Sequence, residues 1–282
     1  VKKIQRTIQC SRGSRRRASG EGFTLLELLA VMAIIGILAA VTLPNISKFK
    51  PNVMTAATRQ MLDAIARGRQ LAMSQRTTVY LVFVPTNFWA APAFNSLPAP
   101  EQDKAQRLLD KQATSYNFVT LRSLGDQPGD PTPRYLDRWK SLPEGVIIPR
   151  QKFLPYTVPE RVVMNVFTND DSATKHWAFD IQGFHYTNNI PFPSEGARTN
   201  GLTEWVPVPY IAFNHMGQLV HGKDEFIPLA LGTMGYGRDP VTKQPTPPTF
   251  NEMPPGNSTN TFNLIQIDWL TGRARAHRQE IL

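Results

Sequence analysis

Apolar positions in this chain of 282 residues fall into three regimes. Residues 23 to 43 read FTLLELLAVMAIIGILAAVTL, in which only Thr24, Glu27, Gly36 and Thr42 are not apolar. A helix this long extends about 31 Å, which matches the hydrocarbon core of a bilayer. The run is therefore expected to cross a membrane, since a core helix would be shorter. Past Pro44 and Pro51 the pattern becomes periodic, with Val53, Ala57, Met61, Ala64, Ile65, Gly68, Leu71 and Ala72 at steps of three and four. That spacing predicts one apolar stripe along a helix ending near residue 76, with Arg59, Arg67, Arg69 and Arg76 largely off the stripe as a solvated face.

Residues 77 to 282 hold 22 of the 24 prolines, so short strands with irregular connections are expected there. The pattern predicts strands over 77–84, 116–121, 146–148, 161–167, 177–181, 210–213 with 218–220, 264–270 and 273–276, and one further helix over 101–113. Helix followed by many strands gives an α+β chain with four parts: a leader (1–22), a membrane-spanning half-helix (23–43), an extracytoplasmic half-helix (44–76) and a β-rich globular domain (77–282). No internal repeat of 20 to 50 residues occurs, which argues against a solenoid or propeller.

Charge fixes the orientation of the apolar run. Lys2, Lys3, Arg6, Arg12, Arg15, Arg16 and Arg17 precede it, opposed only by Glu21, while from Phe23 onward 24 basic residues face 21 acidic ones. The leader is thus expected in the cytoplasm and the globular part on the other side. The basic composition belongs mostly to the leader and says little about the body. The single cysteine, Cys10, cannot close an intrachain disulfide, and one Cys with five His gives no zinc spacing. A secretory signal peptide explains the run less well, because it is long and Pro44-Asn45-Ile46 follows it where small residues are wanted.

Glu27 is the anomaly, since a carboxylate within a membrane span costs a few kcal/mol and calls for a partner. Cleavage before Phe23 would create an amino group four residues away, and a neighbouring subunit's Glu27 could pair with it. At an effective dielectric of 20 and ~4 Å such a pair gains ~4 kcal/mol.

Gly22-Phe23-Thr24-Leu25-Leu26-Glu27, behind a basic leader and ahead of an apolar span, resembles the signature of type IV pilins and type II secretion pseudopilins. The resemblance implies that a prepilin peptidase cuts between Gly22 and Phe23 and methylates Phe23, that Glu27 serves subunit docking, and that Pro44 matches a proline that often kinks the family's long helix. Further along, residues 61–83, 142–146, 211–219 and 265–277 resemble, in the same order, H-type minor pseudopilins and FimT-like minor pilins. The implied fold is a long helix packed on an antiparallel β-sheet domain. The implied partners are the peptidase, other pilins or pseudopilins, an inner-membrane assembly platform and the inner-membrane lipid. The implied location is the bacterial inner membrane, single-pass, with the globular domain periplasmic and incorporated into a pseudopilus.

Catalytic signatures are weak. Residues 217–224 imitate a phosphate-binding loop, but Asp224 stands where a Ser or Thr would meet Mg²⁺ and Pro228 interrupts the helix that should follow. His215 and His221 lack a third ligand at credible spacing and read as surface histidines. Asn169-Asp170-Asp171-Ser172 reads as a turn rather than a calcium site, and Asn257-Ser258-Thr259 is a sequon by pattern only. A non-enzymatic chain without cofactor is the expectation. At the carboxy terminus, Arg273 and Arg275 would project from one face of a strand about 6–7 Å apart, close to a phosphate repeat. By resemblance Gly272, Arg273 and Arg275 match a GRxR sequence associated with DNA binding in some FimT-like minor pilins, with Arg278 beside them. A sheet edge guarded by charge explains the same residues without a ligand. The leading expectation is an H-type minor pseudopilin serving protein secretion, and the alternative a pilus subunit binding DNA.

Overall fold

The computed structural model describes residues 25–122, 125–126, 132–154, 160–165, 176–197, 205–260 and 262–278, and within these the side chains other than those of 36–52, 160–165, 176–181, 259–260 and 278. The chain divides into two compact units, Val1–Phe49 and Lys50–Leu282. Helix α1, Leu25–Gln75, begins in the first unit with Glu27 in its opening turn. Helical backbone continues through Pro44 and Pro51.

In the second unit α1 carries the stripe that the sequence predicts. Met54, Ala57, Met61, Ala64, Ile65, Gly68 and Ala72 are buried, Val53 and Leu71 flank them half-buried, and Arg59, Arg67 and Arg76 are exposed. Thr58 is buried as well, its hydroxyl donating to the Met54 carbonyl at 2.8 Å and accepting from Asn263 at 3.0 Å, so this polar residue costs little inside the stripe.

The remaining helices are short: α2 (Pro92–Asn95), α3 (Ala99–Gln106) and α4 (Asn257–Asn260). The strands are β1 (Val79–Phe83), β2 (Ser115–Thr120), β3 (Arg134–Tyr135), β4 (Lys140–Ser141), β5 (Val146–Ile147), β6 (Glu160–Asn165) and β7 (His176–Ile181). They continue with β8 (His185–Thr187), β9 (Val208–Phe213), β10 (Glu225–Gly235), β11 (Thr249–Glu252), β12 (Asn263–Ile267) and β13 (Ala274–Arg278). One sheet has the order β3-β2-β1-β9-β8 with β4 also on β2; a second has β11-β10-β12-β13 with β5 also on β10; β6 and β7 pair with each other. Every pairing is antiparallel, so the fold is α+β with an amino-terminal helix and an antiparallel carboxy-terminal domain.

Both sheets share one core with the helix. Met61, Ile65 and Ala72 pack with Leu81, Phe83, Phe118 and Phe213 of the first sheet and with Ile227, Leu229, Ile265 and Ile267 of the second. The opposite face of the first sheet is covered by the chain between β1 and β2 and by residues 190–197 and 205–208, through Phe88, Trp89, Leu108, Leu109, Phe192 and Val206 around Val82, Val84 and Val119. Burial on both faces explains the unbroken apolar run of β1, where alternation would mark a half-exposed strand.

Three elements differ from the pattern-based expectation. The helix over 101–113 stops at Gln106 and a short 3-10 turn, Leu109–Lys111, follows, which turns Leu108 and Leu109 into the core. Residues 218–220 contribute only a single bridge, Leu219 to Phe213. The longest strand, β10, has no counterpart in the pattern, because Pro228 reads as a breaker; among the described residues the strand has only β12 paired with it at Pro228, so a residue without an N–H is tolerated.

Candidate functional site

The amino-terminal helix is the first candidate. Leu25, Leu26, Leu28, Leu29, Val31, Met32, Ile34 and Ile35 are all exposed, by 44% to 83%, and at 100° per residue they cover every side of the helix. Glu27 is the one charged side chain among residues 25–35, and it too is exposed. Covering such a surface gains roughly 1.5–3 kcal/mol per large side chain, a strong drive toward lipid or other helices. Among the described residues no helix is long and apolar enough to cross a membrane, the described side chains reaching only residues 25–35 of the 23–43 run. Gly22 and Phe23 lie outside the described residues.

The second candidate is the basic edge. Among the described residues strand β13 closes one end of the second sheet, pairing with β12 alone. Strand β13 begins at Ala274, one residue later than the pattern predicts, so Arg273 lies just ahead of it and Arg275 on it; both are exposed, and the side chain of Arg278 lies outside the described residues. Acidic groups stand close by. The Thr271 hydroxyl and amide, each donating to the Asp268 carboxylate at 2.7 Å, hold that carboxyl below its usual range, with a smaller contribution from Arg275. Gln266, opposite Arg275 in register, donates to Asp224 at 2.8 Å and sits 2.9 Å from His277.

Gly272 has a structural role that the motif alone does not reveal. Its φ of +62° belongs to the left-handed region, and a Cβ there would overlap the Gly217 carbonyl oxygen. Gly217 in turn leaves little room beside Arg69 and Met73, where a Cβ would lie 3.0 and 3.1 Å away. Two turns, 214–217 and 268–272, therefore pack backbone to backbone against α1. Arg69 fastens the assembly by donating its Nε to the Thr271 carbonyl at 2.7 Å, and Leu219 N–H reaches the Trp269 carbonyl at 2.9 Å. Sequence reasoning places Arg69 among solvated arginines; its position next to Gly68 of the stripe is the available signal, and the structure finds it half-buried.

A third arrangement has no counterpart in any sequence motif. His185 on β8 stacks on His221 with ring centroids 3.5 Å apart and planes 14° from parallel. They line a cleft of about 250 Å³ with Gln182, Lys223, Asp224, Glu225 and Phe226. Behind it Lys152, fully buried, ion-pairs with Glu225, donates to the Gln182 carbonyl at 2.8 Å and lies 4.6 Å from the Phe184 ring centroid. Burial pulls the Lys152 ammonium below its usual range, opposed by Glu225.

The remaining sequence candidates resolve as structure. Residues 217–224 form turns leading into β10, not a helix, and Asp224 accepts from Gln266 and from Trp269 N–H, so a phosphate-binding loop is excluded. His215 is a surface residue as read, whereas His221 belongs to the stacked pair. Asn257 of the sequon is buried and accepts from Leu231 N–H at 2.6 Å. Residues 169–172 lie outside the described residues. Among the described residues no group of three or more His, Cys, Asp or Glu could hold a metal.

Comparison with known proteins agrees with the first candidate. A family profile described as Prokaryotic N-terminal methylation motif matches residues 18–43. Over 65 residues the chain is 38% identical to the Type IV major pilin protein PilA of Myxococcus xanthus (strain DK1622), a match covering 23% of this chain and 30% of that protein. No solved structure matches. The chain is type IV pilin-like, with a prepilin-type motif at its amino terminus.

Proposed function

We propose that this chain is a minor pseudopilin of H type, processed by a prepilin peptidase between Gly22 and Phe23 and assembled into a periplasmic pseudopilus that drives protein secretion. The observation that carries this reading is the helix over 25–35, apolar on every side and interrupted only by Glu27, directly inside the methylation-motif match. Such a helix is soluble neither alone nor against a single sheet. It suits a subunit that waits in the inner membrane and then moves into a helical filament core, with lipid, the assembly platform and neighbouring pilins as successive partners. Glu27 would pair with the amino group of methylated Phe23 on the adjacent subunit, since a carboxylate in apolar surroundings needs a cation. The domain over 50–282 would be carried on the filament as a structural part, without catalysis.

Glu27→Gln and Glu27→Ala test the reading directly in cells producing the whole apparatus. Both variants should reach the membrane and be processed, yet fail to enter the sheared or cross-linked filament fraction. Normal incorporation of Glu27→Ala contradicts the proposed docking.

One observation favours a second reading, a minor pilin that contacts DNA: Arg273, just ahead of the edge strand β13, and Arg275 on that strand are both exposed. In that case Arg273→Ala with Arg275→Ala should abolish DNA retention and its salt dependence, and under the first reading it should leave secretion unchanged.

A further inference from the structure

We propose that His185 and His221 form a proton-operated clasp between the two sheets, closed while both imidazoles are neutral and parted when they take up protons. The stacked rings join elements distant in the chain: His185 belongs to β8 at the edge of the first sheet, and His221 to the turn that leads into β10 of the second. His221 Nε2 is also 3.2 Å from the Tyr210 hydroxyl on β9, which ties the turn back to the first sheet. Flat contact of this kind suits neutral rings and opposes charged ones, because two imidazolium ions would then meet face to face.

The surroundings amplify that preference. Lys152 faces the pair from the 3-10 turn Arg150–Phe153, Lys223 and Asp224 from the turn, Glu225 from β10 and Tyr210 from β9. Both carboxylates of the cleft are engaged elsewhere: Glu225 with buried Lys152, and Asp224 with the Gln266 side chain at 2.8 Å and Trp269 N–H at 3.0 Å. Incoming protons thus add positive charge beside two lysines. Burial first, then His221, Lys152 and Lys223, push His185 down to about 4. Burial lowers His221 also, with Glu225 pulling the other way. At neutral pH the clasp is closed; in acid the turn over 221–224 separates from β8 and opens the cleft toward Lys152. This holds whichever machine the subunit serves.

The test uses the full chain in detergent micelles with labelled histidine. Imidazole resonances followed from about pH 8 to about pH 3.5 should show His185 half-protonated roughly two pH units below a free histidine. Hydrogen exchange, corrected for intrinsic rates, should show residues 185–187 and 219–225 losing protection about tenfold or more between about pH 7 and about pH 4, while β1 and β2 keep theirs. His221→Phe, which keeps a flat ring without a titrating nitrogen, should retain protection at the acid end. His185 titrating near its ordinary value overturns the clasp, as does acid protection unchanged in the wild type or lost equally in His221→Phe. The wild-type titration decides even if the variant does not fold.

Discussion

Gly272 separates the structural from the ligand-binding reading of the basic edge, because its replacement should damage the fold before it touches any ligand. In Gly272→Ala the new methyl would overlap the Gly217 carbonyl and approach Arg69 Cδ to 3.1 Å, in a backbone conformation at φ +62° that L-residues avoid. The left-handed backbone costs about 1–2 kcal/mol. Displacing the turn also removes the Arg69–Thr271 and Leu219–Trp269 hydrogen bonds, at 2.7 and 2.9 Å, each contributing about 1 kcal/mol. A loss of about 3 kcal/mol follows, or about 6–12 °C in Tm for a domain of this size. Gly222 provides the control: its φ of +65° is similar, but a Cβ there meets nothing within 4 Å, so Gly222→Ala should lose only the backbone component, about 1 kcal/mol. Thermal unfolding of the full chain in detergent, followed by near-ultraviolet circular dichroism, measures both. Equal shifts for the two variants would refute the packing argument and return Gly272 to the role of a ligand-facing motif residue.

Arg273→Ala, just ahead of edge strand β13, and Arg275→Ala, on it, remove exposed side chains and should each change stability by less than about 0.5 kcal/mol in denaturant titrations; a larger loss would mean that the arginines hold the edge in place. Glu225→Gln leaves the buried Lys152 ammonium without its anion and should cost about 3–5 kcal/mol, while Lys152→Met with Glu225→Leu should cost clearly less, a comparison that equal midpoints would contradict. Phe118→Ala, in the contact between α1 and the first sheet, should cost about 3–5 kcal/mol in the same assay, and a loss under about 1 kcal/mol would mean that the helix does not pack there. Stability should also fall in acid. His185 is depressed from its ordinary 6.5 to about 4 in the folded chain, so between those values the unfolded chain binds more protons and the contribution of His185, complete above the upper value, disappears as pH drops through the window. Allowing for the solvent that reaches the ring, that contribution is roughly 1–2 kcal/mol, read as the difference in acid sensitivity between wild type and His185→Gln; identical sensitivity would remove it.

The elements legible in the sequence are those in which one local pattern decides the structure. The stripe from Met54 to Ala72 follows a period near 3.6, with Thr58 its one buried polar member, and β1 is an apolar, β-rich run buried on both faces. The apolar run ahead of them is equally plain, as is its lone Glu27. Strand β10 is hidden because Pro228 and its glycines argue locally against a strand, and the position becomes acceptable because, among the described residues, β10 has no second neighbour at Pro228. The His185–His221 stack and the Lys152–Glu225 pair were illegible for a different reason: each joins residues far apart in the chain, with no spacing rule that foretells the meeting. Gly272 illustrates an intermediate case. Its place in a recognisable motif was visible, but the carbonyl of Gly217 that excludes a side chain there belongs to another turn.

The central claim is that residues 23 onward enter a filament after cleavage and methylation of the amino terminus. Intact mass and amino-terminal sequence of the protein extracted from its native membrane test it most directly. The account predicts a mature chain that begins at methylated Phe23, whereas a chain retaining residues 1 to 22, or one cut beyond Leu43, would contradict it by removing the amino group proposed to pair with Glu27.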